Sequence, residues 1–152
     1  MTTKRKAFSL IELVVVIVIL GLLATIAIPR MSRGAEGAAA ASLRSDLAVL
    51  RNAVELYKAE HEGNVPTLAN MPNALLQYTD ISGTVSATPT STAIYGPYLA
   101  AVPTMKIGAR KGLATIAAPT DTSVAWHYDQ ATGRFTANVA GTDASGVNYA
   151  DY

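Results

Sequence analysis

An apolar run from Phe8 to Ile28 contains a single charged side chain, that of Glu12. At about 1.5 Å of rise per residue, this run makes a helix roughly 31 Å long, which is enough to cross the hydrocarbon of a bilayer. Its Leu, Ile, Val and Phe side chains favour insertion by roughly 7 kcal/mol, against a cost of about 3 kcal/mol for one buried acid. The run therefore predicts a spanning helix, in which the carboxylate needs a partner, for preference an amine.

Basic residues lie on the N-terminal side of the apolar run, at Lys4, Arg5 and Lys6. By the positive-inside rule the N-terminus stays cytoplasmic and the rest of the chain crosses the membrane. The alternative is a secretory signal peptide, whose apolar region has about 7 to 15 residues and ends at a small-x-small site. The run in this chain is longer and its end, Ala24-Thr25-Ile26-Ala27, is a poor cleavage signal, which argues against a signal peptide.

The basic leader ending at Ala7, followed by Phe8-Ser9-Leu10-Ile11-Glu12-Leu13 and a long aliphatic run, resembles the N-terminus of type IV pilins and type II secretion pseudopilins. The resemblance implies that a prepilin peptidase cuts between Ala7 and Phe8 and methylates the new N-terminus. Ala7 stands where the family usually has Gly. The implied fold is α+β, with a long N-terminal α-helix packed on a small C-terminal antiparallel β-sheet.

Cleavage before Phe8 would create a positive amine in the apolar phase. The carboxylate of Glu12 in an incoming subunit would arrive at the same depth, where opposite charges attract strongly and offset each other's burial. Glu12 is thus the predicted assembly residue of a homo-oligomeric filament. An alternative stays open, in which Glu12 bonds the amine of its own chain, because four residues of helix rise only about 6 Å.

A second, amphipathic helical pattern follows the apolar run. Its apolar residues recur with the spacing of one helix face and form a single stripe, which consists of Leu43, Leu47, Leu50, Val54 and Tyr57. The stripe spans less than three heptads, so a helix laid against a sheet is favoured over a coiled coil. Gly63-Asn64 is a helix stop. The predicted helix runs from Phe8 to about Glu62, with a break near Gly34 to Gly37.

The region from Val65 to Ala93 is predicted to be a loop with one small helix at Ala74-Leu75-Leu76, because it is rich in Pro, Thr, Ser, Asn and Gly. After it, the Gly96-Pro97 pair is typical of a bend that lets Tyr95, Tyr98 and Leu99 pack back on the helix.

Three strands are predicted next, at roughly 113–117, 123–128 and 134–139. The middle strand alternates as expected for a sheet with one covered face, and Gly133 supplies the positive φ of the last hairpin. The segment with Trp126-x-Tyr128 and Thr132-Gly133 resembles the pseudopilin G-like branch of the family.

The predicted organisation is a leader over 1–7, a transmembrane and polymerisation helix over 8–29, an amphipathic helix over 30–62 and an exported domain over 63–152. Without the three basic leader residues, nine basic and eleven acidic side chains remain, a net charge of −2 that leaves no basic surface for nucleic acid. The chain has no cysteine, so the exported domain has no disulfide and its stability comes from packing or from a metal.

The segment from Gly141 to Tyr152 is the one candidate for metal binding. Closely spaced Asp, Ser and Asn oxygens around a glycine can wrap calcium, which takes six to eight oxygen ligands. The segment also resembles the tail of major pseudopilins, in which calcium ties down the last loop, and this resemblance implies Asp143 and Asp151 as ligands. The alternative is an exposed polar tail without metal.

Catalytic motifs are absent from the sequence. It has no cysteine nucleophile, Gly-x-Ser-x-Gly elbow, paired-histidine metal motif or phosphate loop, and its two histidines are His61, at a helix end, and His127, on a strand. We therefore expect no enzymatic activity. The resemblance implies a type II secretion pseudopilus subunit; a type IV pilus pilin and a membrane-anchored binding protein that does not polymerise are the alternatives.

The partners implied by the resemblance are further copies of the chain, minor pseudopilins, prepilin peptidase, the inner-membrane assembly platform and membrane lipid. The implied location is the bacterial inner membrane, crossed once, with the exported domain in the periplasm.

Overall fold

The computed structural model describes residues 9–152, except for the side chains of residues 28–33. The chain divides into two compact units, Met1–Glu36 and Gly37–Tyr152. Helix α1, Leu10–Glu60, contributes to both units and is followed by short helices and two small sheets. The α+β class predicted from the sequence is confirmed by this order, and the layout is that of a pilin fold.

Helix α1 continues through Gly34 and Gly37, so the predicted break there is wrong. Each glycine costs only about 1 kcal/mol relative to alanine inside a helix. The alanines at 38–41, the best helix formers, follow directly. Local propensity in this stretch is therefore sufficient to keep the helix intact.

One face of α1 forms the base of the second unit. The predicted apolar stripe is confirmed, since Leu43, Leu47, Leu50 and Val54 are at most 1 % exposed and Tyr57 is 4 % exposed. The helix ends where predicted, because the Gly63 amide donates to the Lys58 carbonyl at 2.8 Å with φ +86° at Gly63. This left-handed cap is the arrangement that glycine favours.

The region after the helix holds more regular structure than predicted. The small helix is confirmed as α2, Asn73–Leu76, and a 3-10 turn precedes it at Leu68–Asn70. A two-stranded antiparallel sheet of β1, Tyr78–Thr79, and β2, Val85–Ser86, was not predicted. A strand of two residues is too short to show the alternation of apolar and polar residues that predicts a strand from sequence.

The β1–β2 connection is a loop organised by one carboxylate. Asp80 Oδ1 accepts hydrogen bonds from the backbone amides of Ser82 and Thr84, both at 2.9 Å, and from the Ser82 hydroxyl at 2.6 Å. The Gly83 amide donates to the Asp80 carbonyl at 2.9 Å, and Gly83 has φ +83°. The sequence Asp-x-Ser-Gly therefore closes the hairpin with short local hydrogen bonds.

The second sheet has the order β3-β4-β5, with β3 at Ile116–Ala117, β4 at Trp126–Asp129 and β5 at Arg134–Ala137. Strands β4 and β5 are antiparallel, as predicted, but β3 pairs with β4 in parallel, so the sheet is mixed rather than wholly antiparallel. The segment of residues 118–125 carries the chain back to the start of β3, where the amides of Ala125 and Trp126 donate to the Thr115 carbonyl at 3.2 and 3.0 Å, so both strands run in the same direction.

The core lies between the apolar stripe of α1 and the inner face of this sheet. Trp126, Tyr128 and Phe135 are fully buried against the stripe. The polar atoms of the two larger side chains have partners, since Trp126 Nε1 donates to the Pro103 carbonyl at 2.8 Å and the Tyr128 hydroxyl donates to the Pro66 carbonyl at 2.9 Å. Buried aromatic groups of this kind are stable because their polar ends are satisfied.

The segment around Gly96-Pro97 packs on the end of α1, as predicted. The Tyr98 ring lies edge-on to the Tyr57 ring at 5.6 Å, and its hydroxyl donates to Glu60 Oε2 at 2.6 Å. Burial raises the pKa of the Tyr98 hydroxyl, and the Glu60 carboxylate raises it further. The Tyr98 hydroxyl therefore stays protonated and can donate its hydrogen bond to Glu60.

The last hairpin depends on a glycine that packs without a side chain. Gly133 has φ +71°, as predicted, and its amide donates to the Asp129 carbonyl at 2.8 Å. A Cβ added there would lie 2.8 Å from Val65 Cγ1 and 3.3 Å from Val54 Cγ1. Gly133 thus combines backbone freedom with close packing on α1.

We predict that Gly133→Ala lowers the free energy of unfolding by roughly 2–4 kcal/mol, because strain at positive φ adds to overpacking. The matched control is Gly112→Ala, since Gly112 has φ +89° but nothing within 4 Å of an added Cβ. It is expected to cost about 1–2 kcal/mol. Urea unfolding followed by Trp126 fluorescence measures both variants, and equal losses would contradict the packing role.

Candidate functional site

The described part of the first unit is an apolar helical surface. Leu10–Ala27 is long and apolar enough to cross a membrane, and within the described residues it is the one helical segment that meets this test. Its large apolar side chains between Leu10 and Ile26 are 39 to 80 % exposed. Such a continuous exposed apolar surface is unstable in water and requires lipid or protein around it.

Glu12 lies at the start of this helix and interacts with the backbone that precedes it. The Ser9 amide donates to Glu12 Oε2 at 3.4 Å, which is the long limit of a hydrogen bond. Ser9 immediately precedes Leu10, the first residue of α1, so Ser9-x-x-Glu12 has the spacing of a capping box. The sequence signal Ser-x-x-Glu for this cap was present but was not used in our sequence analysis.

The predicted processing residues, Ala7 and Phe8, lie outside the described residues. The contact of Glu12 with Ser9 brings its carboxylate back toward the N-terminus by one turn. A carboxylate near the first amides of a helix is also favoured by the helix dipole. Both predicted pairings of Glu12, with the amine of its own chain or with that of a neighbouring chain, start from a carboxylate that is held by one long hydrogen bond.

In the second unit, Asp143 is held by the loop that it begins and by α1. Its Oδ1 accepts hydrogen bonds from the amides of Ser145, at 2.8 Å, and Val147, at 3.0 Å. Its Oδ2 contacts the guanidinium of Arg44 at 2.5 Å and accepts the Tyr152 hydroxyl at 2.6 Å. Donation by the Tyr152 hydroxyl and then by the Val147 amide holds the pKa of Asp143 below its usual range.

Asp151 has different neighbours. Its Oδ2 accepts a hydrogen bond from Asn148 Nδ2 at 3.1 Å, and the residue lies with Asp129 and Arg134 around a cavity of about 510 Å³. No contact between Asp143 and Asp151 occurs among the described residues, and these residues contain no group of three or more His, Cys, Asp or Glu side chains placed to hold a metal. The calcium ligand set formed by these two aspartates therefore stays a prediction.

A calcium ion fits poorly at Asp143 in this arrangement. Calcium requires six to eight oxygen ligands, whereas both oxygens of Asp143 already accept hydrogen bonds and Oδ2 faces a cation. An ion there would have to replace the guanidinium of Arg44. The tail is thus closed by protein groups.

Both histidines have structural partners. His61, predicted only to lie at a helix end, is 1 % exposed and stacks on Tyr57 at 3.7 Å. Its Nδ1 lies 2.8 Å from the Tyr57 carbonyl and its Nε2 lies 3.0 Å from Thr79 Oγ1. His127 Nε2 lies 2.8 Å from the Asp121 carbonyl. A nitrogen that contacts a carbonyl must be the donor, so His61 Nδ1 and His127 Nε2 carry hydrogens. His61 thus links the end of α1 to β1, and His127 links β4 to the turn at Asp121.

The comparisons with known proteins concern the N-terminal segment. Residues 2–28 match the family described as the prokaryotic N-terminal methylation motif. The chain carries a prepilin-type N-terminus. This supports a type IV pilin-like subunit that prepilin peptidase processes and that its apolar helix anchors in a membrane. The match gives no support for the narrower resemblance to the pseudopilin G-like branch. No curated protein and no solved structure matches the chain.

Four aspartates in the second unit share one electrostatic property. Each has a pKa lowered first by donation from a hydroxyl group and then by backbone amides; they are Asp80, Asp121, Asp129 and Asp143. Because the folded state binds fewer protons than the unfolded state, this stability is fully present above the unfolded pKa of about 3.9. It is lost as the pH falls through the lower folded values.

We predict that these four aspartates leave the melting temperature of the full chain in detergent constant between pH 5 and 7. Below about pH 4 the melting temperature should fall progressively, because the carboxylates become protonated. Trp126, the single tryptophan, is fully buried and reports unfolding of the second unit. Asp80→Asn and Asp143→Asn should each flatten the acid dependence. A melting temperature that is unchanged down to pH 2 would show that these hydrogen bonds do not favour the ionised carboxylate over the protonated carboxyl group.

Proposed function

We propose that the protein is a structural subunit of a type II secretion pseudopilus, which prepilin peptidase processes and which assembles through its N-terminal helix. The observation that carries this proposal is the exposed apolar helix Leu10–Ala27, which has the single carboxylate of Glu12 in its first turn and lies within the segment that matches the methylation motif. An anchor needs only hydrophobicity. A charge at this depth adds a requirement for a partner, which a neighbouring subunit supplies.

The filament role follows from the energetics of the apolar surface. Side chains that face lipid in a membrane pool would face other copies of the same helix in a filament. Since lipid tails and aliphatic side chains are equally apolar, the transfer costs little hydrophobic free energy and is reversible. The proposed cycle is storage in the inner membrane, extraction by the assembly platform and growth of a helix that moves cargo outward.

Glu12 directs this assembly in the proposal. Processing before Phe8 yields a positive amine, and pairing with Glu12 of a neighbouring copy offsets the burial of both charges. The existing hydrogen bond from the Ser9 amide, at 3.4 Å, is a weak competitor because net hydrogen-bond contributions are about 1 kcal/mol even at good geometry. Exchange of this contact for a charge pair between chains would set the axial register.

A type IV pilus pilin is the second candidate, because the leader and methylation motif are common to both systems. The small size of the chain, the lack of cysteine and the resemblance of its last hairpin and tail favour the secretion system. The proposed partners are minor pseudopilins, prepilin peptidase and the inner-membrane platform. Neighbouring genes for a secretion ATPase and an outer-membrane secretin would support the pseudopilus, and genes for pilus retraction and adhesion would support the pilus.

We predict that the mature chain begins at Phe8 and carries one added methyl group. The basis is the junction of the basic leader with the apolar run, which ends a cytoplasmic segment at the membrane surface. Mass spectrometry of the N-terminal peptide from membranes measures this directly. A peptide that begins after Ala24 or Ala27 would identify ordinary signal-peptide removal and would contradict the filament subunit.

We also predict that Glu12→Val abolishes filament assembly while export, cleavage and membrane insertion continue. Glu12→Gln is the matched variant, because glutamine can form the capping box with Ser9 but has no charge to pair with an amine. Both variants should therefore fail to form sheared or cross-linked filaments. Assembly of Glu12→Gln at the wild-type level would show that the cap is sufficient, and assembly of both variants at that level would show that the intermolecular role assigned to Glu12 is wrong.

A further inference from the structure

Two arginines on α1 hold the end of the chain. Arg44 and Arg51 lie about two helical turns apart, on the same side of α1. Arg44 contacts Asp143 Oδ2 at 2.5 Å, donates to the Tyr152 hydroxyl at 2.9 Å and lies 4.2 Å from the centre of the Tyr152 ring. Arg51 donates to the carbonyl of Phe135, at 2.9 Å, and to that of Tyr152. We name these two arginines with Asp143 and Tyr152 the tail clamp.

The loop that begins at Asp143 has the same construction as the Asp80 loop. Both have the sequence Asp-x-Ser-Gly, and in both the aspartate Oδ1 accepts the amides two and four residues later. In both, the glycine amide donates to the aspartate carbonyl, at 2.9 Å in the first loop and 3.0 Å in the second. The oxygen-rich composition that predicted calcium is therefore explained by hairpin chemistry that the chain uses twice.

The difference between the two loops lies in the second carboxylate oxygen. Asp143 Oδ2 receives the Arg44 guanidinium and the Tyr152 hydroxyl, and the Asp143 side chain is only 6 % exposed. A buried carboxylate requires a compensating charge, and Arg44 supplies it. A divalent cation at the same oxygen would stand within a few ångströms of the Arg44 guanidinium, where like charges repel.

We propose that the Arg44 guanidinium takes the place of a metal ion in this tail, so that the last loop is closed on α1 by a charge pair and is independent of calcium. Arg51 completes the closure, because it fixes the Tyr152 carbonyl while Arg44 holds the ring and hydroxyl of the same residue. The clamp thus closes the last loop with protein groups alone. This proposal concerns the second unit alone and does not rest on the proposed filament function.

The first test is a calcium titration of the full wild-type chain in detergent. Unfolding is followed by Trp126 fluorescence, in 5 mM calcium chloride and in 5 mM chelator, at neutral pH. A ligand that binds only the folded state raises the melting temperature with concentration. We expect the two melting temperatures to agree within error. A rise in calcium that Asp143→Asn abolishes would overturn the proposal and would establish the predicted calcium site.

The second test uses variants of the clamp with a control from the matching loop. Arg44→Ala should lower the melting temperature by roughly 4–8 °C, and Arg44→Lys, which keeps the charge but loses the planar fork and the stacking on Tyr152, should restore part of it. Asp143→Asn should lower it more than Asp80→Asn, because both remove a loop carboxylate but only the former removes the charge pair. Equal effects of the two Asn variants would contradict the clamp.

A local measurement separates tail closure from global stability. The amides of Ser145 and Val147, which donate to Asp143 Oδ1, are the probes, and hydrogen exchange in the folded full chain is the readout. Arg44→Ala should speed their exchange at least tenfold while the amides of the Asp80 loop are unchanged. Unchanged exchange at Ser145 and Val147 in a folded Arg44→Ala variant would show that Arg44 does not hold the loop, and would overturn the proposal even if the melting temperature falls.

Discussion

The burial of one face of α1 is the constraint on which the second unit depends. From Ala40 to Tyr57 the helix presents a row of side chains that are almost fully excluded from water, and both the sheet and the segment around Tyr98 pack against it. In a domain of this size, with no disulfide, that face is one wall of the core and supplies six of its sixteen buried residues. The remaining polar contacts position loops around a core that already exists.

The elements predicted from the sequence are those with a strong local signal. The stripe from Leu43 to Tyr57 repeats with the helical period over several turns, and Gly133 requires a positive φ whatever the partner strand. The β1–β2 hairpin was missed because its strands have two residues each, so that its stability comes from the hydrogen bonds of Asp80 rather than from alternation. The parallel pairing of β3 with β4 depends on residues 118–125, which carry the chain back to Thr115, and the strand patterns themselves do not encode it.

The candidate site was predicted in the same uneven way. Glu12 is conspicuous because it is the single carboxylate in an apolar run, and its contact with Ser9 follows the Ser-x-x-Glu spacing of a capping box. For Asp143, the composition of the tail suggested oxygen ligands, whereas the deciding neighbour, Arg44, lies ninety-nine residues earlier in the sequence. His61 was expected at a helix end, but the chain that buries it, from Thr79 to Tyr95, follows much later. The sequence thus identifies a functional side chain, but it does not identify a hydrogen-bond partner that lies far away along the chain.

The contact of Arg51 with the Phe135 carbonyl has a consequence for how copies of the protein coexist. Strand β5 is at the edge of its sheet, and an edge strand with free carbonyls is a template for a strand of another molecule. With a guanidinium on that carbonyl and the Tyr152 backbone beside it, this part of the β5 edge is covered. A protein concentrated at a membrane would otherwise be exposed to unwanted β-pairing between neighbouring domains. The Arg51 contact thus keeps one carbonyl of β5 from serving as such a template.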